Sequence, residues 1–220
     1  MHRRSLAPVA LLLALAGCSA TEYSAVSLYA ICAPPAPDAT TGACLYPATC
    51  ANTLVGSARL DATTAQLDFR LPIQLNNLLA NNADTTTGRI NTNDAFVTSL
   101  EMTYNGTPFS SWSVAQAITV PAAGNTVGLL PLIPVQYFPA IAPPGNSTLN
   151  ILVNVRAHGV LASQTPFTTA WYQVPVQVCS GCLAGSFCAT GAIMVSCPSA
   201  LPGQTSPGQT ASIACIALTP

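Results

Sequence analysis

The sequence contains no lysine, and charged residues of every kind are scarce. Only 6% of its 220 residues are charged, against about 25% in a typical soluble domain. The six basic residues are all arginines, so there is no basic patch of the kind that binds nucleic acid. Disorder driven by high net charge is disfavoured for the same reason. The polar surface must therefore consist mainly of threonine, serine, asparagine and glutamine.

Recognisable catalytic motifs are also missing. The chain has no Gly-x-Ser-x-Gly nucleophile elbow. Past the first seventeen residues it has one histidine, His158, on the polar side of an alternating stretch, which is more typical of a surface residue than of a general base. Nothing in the pattern singles out an acid and base pair among the carboxylates Asp61, Asp68, Asp84, Asp94 and Glu101. The sequence therefore predicts a protein that is not an enzyme and needs no cofactor.

The N-terminus is where the sequence is most informative. Two arginines precede an apolar run, Leu6 to Ala16, that is too short to span a bilayer. The run ends in Leu15-Ala16-Gly17-Cys18, which resembles the lipobox of bacterial lipoproteins. That resemblance implies that residues 1–17 are a signal peptide and that Cys18 is the first mature residue. It also implies a diacylglycerol on the Cys18 thiol and a fatty acid such as palmitate on the new amino terminus.

The lipobox resemblance also predicts where the protein resides. Two or more acyl chains hold a protein on a membrane durably, so the membrane is the first expected partner. Ser19 follows the cysteine, and in Gram-negative lipoproteins a residue other than aspartate there favours the outer membrane. The chain also resembles cysteine-rich envelope lipoproteins of unknown function. The alternative is an ordinary signal peptide, with Cys18 merely near the start of the mature chain.

Eight further cysteines predict a disulfide framework. Three lie near the mature N-terminus and five near the C-terminus: Cys32, Cys44, Cys50, Cys179, Cys182, Cys188, Cys197 and Cys215. An even number of cysteines in an exported chain is typical of structural disulfides, whereas a redox dithiol or zinc site at Cys179-Ser-Gly-Cys182 lacks its usual context. Because three and five are both odd, full pairing requires a bridge between the clusters. The C-terminal cysteines are then expected on the anchored side of the domain.

The middle of the chain alternates apolar and polar residues with period two, which indicates half-buried strands. The alternation predicts seven strands, at 54–60, 67–75, 96–104, 112–120, 127–136, 149–157 and 167–178. We expect a two-residue hairpin at Asn105-Gly106, a turn at Gly159, and an edge strand or bulge at Pro72. This pattern favours an all-β, antiparallel immunoglobulin- or fibronectin-like sandwich.

The expected domain organisation follows from these patterns. It comprises a signal peptide at 1–17, a Pro- and Cys-rich irregular lead-in at 18–50, the sandwich at 51–178, and a disulfide-rich segment at 179–220 packed on the sandwich. The middle of the chain resembles the WHy-type domain of late-embryogenesis-abundant proteins. The features that carry this resemblance are a strand ending in Asn76-Asn77, then Tyr104-Asn105-Gly106, and then the run Val120 to Val127. That resemblance covers at most residues 60–178 and implies a non-enzymatic fibronectin-like fold.

Two groups of residues are candidate binding sites. Oxygen ligands in one loop, Asp84, Asn91, Asn93 and Asp94, could hold calcium, although such side chains more often cap their own turns. Trp112, Tyr137 and Trp171 could form a glycan platform, the alternative being that they fill the core and cover its ends. Two functions therefore stay open: a structural or interaction lipoprotein with a protein partner in the envelope, or a glycan- or ligand-binding module.

Overall fold

A computed structural model describes residues 24–33, 49–50, 52–54, 56–63, 65, 67–109, 111–145 and 147–181, and the backbone of 192–196 and 213–217. The strands are β1 (Val26–Ile31), β2 (Ala58–Asp61), β3 (Phe69–Asn77), β4 (Ala95–Asn105), β5 (Ser111–Val120), β6 (Gly124–Ile133), β7 (Thr148–Leu161), β8 (Pro166–Thr168), β9 (Tyr172–Cys179), β10 (Ala192–Ser196) and β11 (Ile213–Ala217). A 3-10 turn (Val135–Tyr137) leads into a single helical turn, α1 (Phe138–Ile141). No helix within the described ranges is long and apolar enough to cross a membrane.

Two sheets enclose one hydrophobic core, in a sandwich-like all-β arrangement. The smaller sheet has the strand order β1-β3-β6, and the larger has the order β2-β9-β7-β4-β5, with β8 paired to β7. Inward side chains of both sheets form a single buried cluster, including Leu71, Ile73, Met102, Val155 and Val176. The core arises because apolar residues occupy every second position of the facing strands, as the alternation predicts.

Each of the seven stretches predicted as strands contains a strand, but three local predictions are wrong. Pro72 lies in the central strand β3, where its carbonyl accepts the N–H of Cys32 at 2.8 Å. Gly159 lies inside β7 and not at a turn, and a Cβ at this position would collide with the Phe96 carbonyl and the Phe167 ring, so the close packing there requires glycine. The β4–β5 connection is five residues long (106–110) rather than two, and Phe109 from it packs on Tyr104.

The lead-in expected to be irregular contains a strand. Within it, β1 pairs antiparallel with β3, with Val26 opposite Asn77 and Ile31 opposite Ile73. Burial alternates over Val26, Ser27 and Leu28 in β1. This stretch is short and is followed by three prolines within 34–37, a composition that favours irregular structure. β2 also departs from the antiparallel prediction, since it pairs with β9 in parallel. β1 belongs to the smaller sheet and β2 to the larger one, so the two consecutive strands do not pair with each other as a hairpin would.

Strand directions give the sandwich two distinct ends. The first end, which we call the Asn77 end, contains the start of β1, the end of β3 and the start of β4. Here the Asn77 side-chain amide donates hydrogen bonds to the carbonyls of Asn93 and Val120. At the other, the Cys179 end, Cys179 pairs with Thr148 and Asp61. The described chain thus begins at one end, and the C-terminal segment leaves from the opposite end. Where Cys18 and the cysteines that follow Cys179 lie relative to these two ends is outside the described residues, so the C-terminal cysteines on the anchored side stay a prediction.

The predicted disulfide framework is seen in part. Cys32 and Cys50 form a disulfide with their Cα atoms 5.1 Å apart. This bond closes the base of the segment 33–49, where Ala33 also donates to the carbonyl of Asn52. Cys179 is disulfide-bonded as well. Cys18, Cys44, Cys182, Cys188 and Cys197 lie outside the described residues, and of Cys215 only the backbone, in β11, is described.

Candidate functional site

The residues proposed for calcium binding stabilise their own loop instead. Asp84 Oδ1 accepts the backbone N–H groups of Thr86 and Thr87, at 2.9 and 3.3 Å. Hydrogen bonds from the Thr87 side chain and these backbone groups lower the pKa of Asp84. Asp94 Oδ1 accepts the N–H of Ala122 at 2.8 Å and the Asn91 amide at 2.6 Å. Asp84 thus caps its own turn, whereas Asp94 also ties the loop to the segment that follows β5.

The other polar atoms of the loop follow the same pattern. Asn93 Nδ2 donates to the Ala80 carbonyl at 2.7 Å, and Asn91 Oδ1 accepts the N–H of Asn93 at 3.1 Å. Gly88 supplies the left-handed turn, with φ of +72°. Across the part of the chain that the structure describes, no three His, Cys, Asp or Glu side chains are grouped as metal ligands. The loop is an internally hydrogen-bonded unit.

The three candidate aromatic residues do not form one platform. Trp112 is partly buried against the core and pairs across strands with the buried Met102, so it lies on the inner side of the larger sheet. Tyr137 stacks on Phe109 at a centroid distance of 3.9 Å and covers the Cys179 end. Trp171 is 42% exposed. Trp112 therefore packs against the core and Tyr137 covers one of its ends, whereas Trp171 remains accessible to solvent.

Tyr104 ties this aromatic cover to the core. It lies edge-on to both Phe109 and Tyr137, with ring centroids 6.3 and 6.1 Å away. Its hydroxyl donates to the Leu132 carbonyl at 2.9 Å and so links the two sheets. Burial raises the pKa of the Tyr104 hydroxyl above its ordinary value of 10.0. These contacts identify Tyr137 as part of the end packing.

The polar side chains with the most specific geometry lie on the outer face of the larger sheet. We call Glu101, Arg156, His158, Thr168 and Trp171 the Arg156 cluster. Glu101 faces Arg156 directly across β4 and β7. Glu101 Oε2 accepts Arg156 Nη2 at 2.7 Å and Arg156 Nε at 2.9 Å. The Arg156 guanidinium also lies over the Trp171 ring, 4.4 Å from its centroid, a cation–π arrangement.

His158 extends the cluster by two hydrogen bonds. Its Nε2 lies 3.0 Å from Glu101 Oε2, and its Nδ1 lies 3.0 Å from Thr168 Oγ1. A carboxylate only accepts hydrogen bonds, so Nε2 carries a proton, and in the neutral ring Nδ1 accepts the Thr168 hydroxyl. Hydrogen bonds from Arg156, and to a lesser extent from His158, lower the pKa of Glu101. Glu101 is therefore held as an anion that fixes two cationic or donor side chains.

The Thr168–His158–Glu101 chain has the order of a nucleophile, base and acid, but its surroundings do not suit acyl transfer. Such chemistry needs free N–H donors aimed at the developing oxyanion. The N–H next to the Thr168 hydroxyl, that of Thr169, is already donated to the Ala157 carbonyl at 2.9 Å. The Thr169 N–H is therefore not free to act as such a donor. Glu101 is bound at one oxygen by Arg156 on an open sheet face.

Sequence patterns alone do not connect His158 with Glu101 and do not single out Arg156. A signal for the cluster was present, because Arg156 and His158 are two residues apart and must share one face of a strand. What the sequence does not give is the register that sets Glu101 opposite Arg156. Comparison with protein-family models, curated proteins and solved structures finds no match for this chain.

We expect Glu101→Gln to reduce stability at pH 7 by less than about 1 kcal/mol, because the ion pair is partly exposed. The pKa of Glu101 is lower in the folded protein than its ordinary value. The ionised Glu101 side chain therefore stabilises the fold above the ordinary glutamate pKa, and this stabilisation is lost as the pH falls through the lowered pKa. The stability difference between wild type and Glu101→Gln should therefore shrink between about pH 5 and pH 3. Urea unfolding across that range measures it.

The matched control is Ser113→Ala, since Ser113 is exposed and lies opposite Glu101 on the neighbouring strand β5. This substitution removes no charge, so its stability difference from wild type should not change with pH. If the Glu101→Gln difference stays constant over the same range, Glu101 does not form a stabilising ion pair with Arg156.

Proposed function

We propose that this chain is a non-enzymatic lipoprotein, anchored by Cys18 to the cell envelope and presenting a sandwich domain that binds a protein partner. The anchor is proposed from the lipobox-like sequence before Cys18, which lies outside the described residues. Ser19 supports placement in the outer membrane. The domain we propose to be immunoglobulin- or fibronectin-like, supported by two sheets that share one core and pair mainly antiparallel.

One observation favours the protein-binding role: the Arg156 cluster combines an exposed tryptophan with a fixed arginine. Tryptophan and arginine are enriched among the residues that contribute most to protein interfaces. Arg156 is already held by Glu101 and by the Trp171 ring, so little conformational entropy is lost when a partner contacts it. In a domain with so few charges, this arrangement gives the outer face a defined recognition surface.

A second candidate function, glycan binding, is favoured by the amides around the same tryptophan. Gln173 Nε2 donates to Asn154 Oδ1, and Asn154 Nδ2 donates to Thr103 Oγ1, both at 3.2 Å. An exposed ring beside amide groups can bind a sugar, although Arg156 already occupies space over the Trp171 ring. Binding to a glycan array that is lost in Trp171→Ala would favour this function over a protein partner.

The protein-binding proposal is tested by photocrosslinking in the native cell. A photoreactive phenylalanine analogue replaces Gln173, which is exposed beside Trp171 on the outer face of β9. We expect a discrete protein adduct that disappears when Arg156→Ala is added, because the partner contacts the Arg156 cluster. The control probe replaces Tyr29, which is 62% exposed on the smaller sheet. Absence of an adduct at Gln173, or the same adduct from both positions, would contradict the proposed interface.

A further inference from the structure

The Asn77 end of the sandwich carries the most exposed large apolar side chains of the described residues. Leu78 is 76% exposed and Ile90 is 77% exposed, and both belong to the loop 78–94 that joins β3 to β4. Single exposed apolar residues are common on protein surfaces. Here two of them project from one loop whose polar atoms are largely engaged in internal hydrogen bonds. The loop therefore presents apolar side chains from a defined scaffold.

The N-terminal end of the described chain lies at the same Asn77 end. Ser24 is the first described residue, and the N–H of Leu78 donates to the carbonyl of Ala25 at 2.9 Å. Cys18 and Ser24 are six positions apart in the chain (24 − 18 = 6). Because an extended chain spans at most about 3.3–3.6 Å per residue, Cys18 lies within about 20 Å of Ser24.

This tether is short compared with the sandwich. The 11 residues of β4 extend about 36 Å at the usual rise of about 3.3 Å per residue. A lipid on Cys18 can therefore reach the membrane beside the Asn77 end, but the tether is too short to carry Cys18 to the Cys179 end. An anchor at Cys18 therefore keeps the Asn77 end close to the bilayer.

We propose that the loop 78–94 is a second membrane contact, in which Leu78 and Ile90 enter the lipid interface beside the acylated Cys18. The inference rests on the proposed anchoring. The charge of the loop suits a zwitterionic membrane surface, since its only charged residues are Asp84, Arg89 and Asp94. Both carboxylates accept hydrogen bonds from within the protein, and Arg89 is exposed, its Nε donating to the Asn82 carbonyl at 2.6 Å.

The consequence is a fixed orientation for the domain. A second contact restricts the orientations that the domain can adopt on the membrane more than a single anchor does. A cavity of about 670 Å³, lined by Val26, Leu79, Leu161 and Phe167 among others, adds apolar surface at the same end. The Cys179 end and its aromatic cover then point away from the bilayer.

The test uses the full lipidated chain in phosphatidylcholine vesicles with bromine-labelled acyl chains, which quench nearby tryptophan. The probe is Ile90→Trp, and the control is Val135→Trp, a 38% exposed position at the Cys179 end. Trp112 and Trp171 are kept in both, so the parent chain gives the baseline. We expect the lipid to remove most of the emission added by Ile90→Trp and none of that added by Val135→Trp. Leu78→Trp is a second, independent probe and should behave like Ile90→Trp.

Flotation of the same samples with the vesicles reports the anchor separately. If the chain floats but the added emission at positions 78 and 90 is no more quenched than at 135, the loop does not contact lipid, and the anchoring proposal stands. A chain that does not float overturns the anchoring and this inference with it. Quenching at 78 and 90 in a floating chain, with none at 135, supports the proposed contact.

Discussion

Cys18→Ala is expected to move the protein from the membrane fraction to the soluble fraction. Each buried methylene of an acyl chain contributes about 0.8 kcal/mol to membrane binding, so removing the acyl acceptor removes nearly all of the attachment. The domain itself should stay folded, because Cys18 is not one of the eight cysteines predicted to form disulfides. Immunoblots of washed membranes and supernatant give the measurement.

Ser19→Ala is the matched control for this prediction, since it alters the neighbouring residue and keeps the acceptor thiol. It should remain in the membrane fraction. A Cys18→Ala protein that stays in washed membranes would show that attachment does not depend on acylation of Cys18. Near-ultraviolet circular dichroism of the released protein checks that release does not result from unfolding.

The second large effect concerns a disulfide that joins the two ends of the mature chain. Cys32 and Cys50 bond to each other, which leaves Cys44 as the remaining cysteine of the N-terminal cluster. If all eight pair, Cys44 must bond to one of the five C-terminal cysteines. The nearest of these in sequence is 135 residues away (179 − 44 = 135). Closing so long a loop contributes about 5 kcal/mol in the chain-entropy model.

Trypsin makes this prediction directly testable, because the chain has no lysine and its arginines are few. Cleavage after Arg59 and Arg156 separates a fragment ending at residue 59, with the three N-terminal cysteines, from fragment 157–220, with the other five. In digests of unfolded, unreduced Cys18→Ala protein, the two fragments should have one combined mass and separate on reduction. In Cys44→Ser they should be separate without reductant.

The stability of the same variants gives a graded check. Cys44→Ser should lower the free energy of unfolding by about 5 kcal/mol, and the paired Cys32→Ser and Cys50→Ser substitution by about 3 kcal/mol, since the latter disulfide spans 18 residues. Fragments that separate without reductant in the parent protein would contradict a bridge between the clusters.

Much of the fold could be predicted because its strands follow a simple physical rule. β7 alternates buried and more exposed residues along most of its length, and β4 and β9 alternate over shorter stretches, β4 on either side of a register shift between Val97 and Ser99. Alternation of this kind indicates a half-buried strand. The rule failed where another contact decided the conformation. Gln74 looks like a solvent-facing residue, yet it is 4% exposed, and its Oε1 accepts the N–H of Cys50 at 2.9 Å.

The candidate site was harder to predict, because it depends on register between strands far apart in the sequence. Glu101 and Arg156 are 55 residues apart, and only the pairing of β4 with β7 brings them together. Trp171 reaches Arg156 from the residue before β9. By contrast, the hydrogen bonds of Asp84 and Asn91 are to residues close in sequence.

The intact mass of the mature protein purified from membranes tests the central claim most directly. The proposed anchoring predicts a chain that begins at Cys18 and carries the added mass of a diacylglycerol and an amide-linked fatty acid, with all eight other cysteines oxidised. A chain that begins at another residue, or that begins at Cys18 without added lipid mass, would contradict the account.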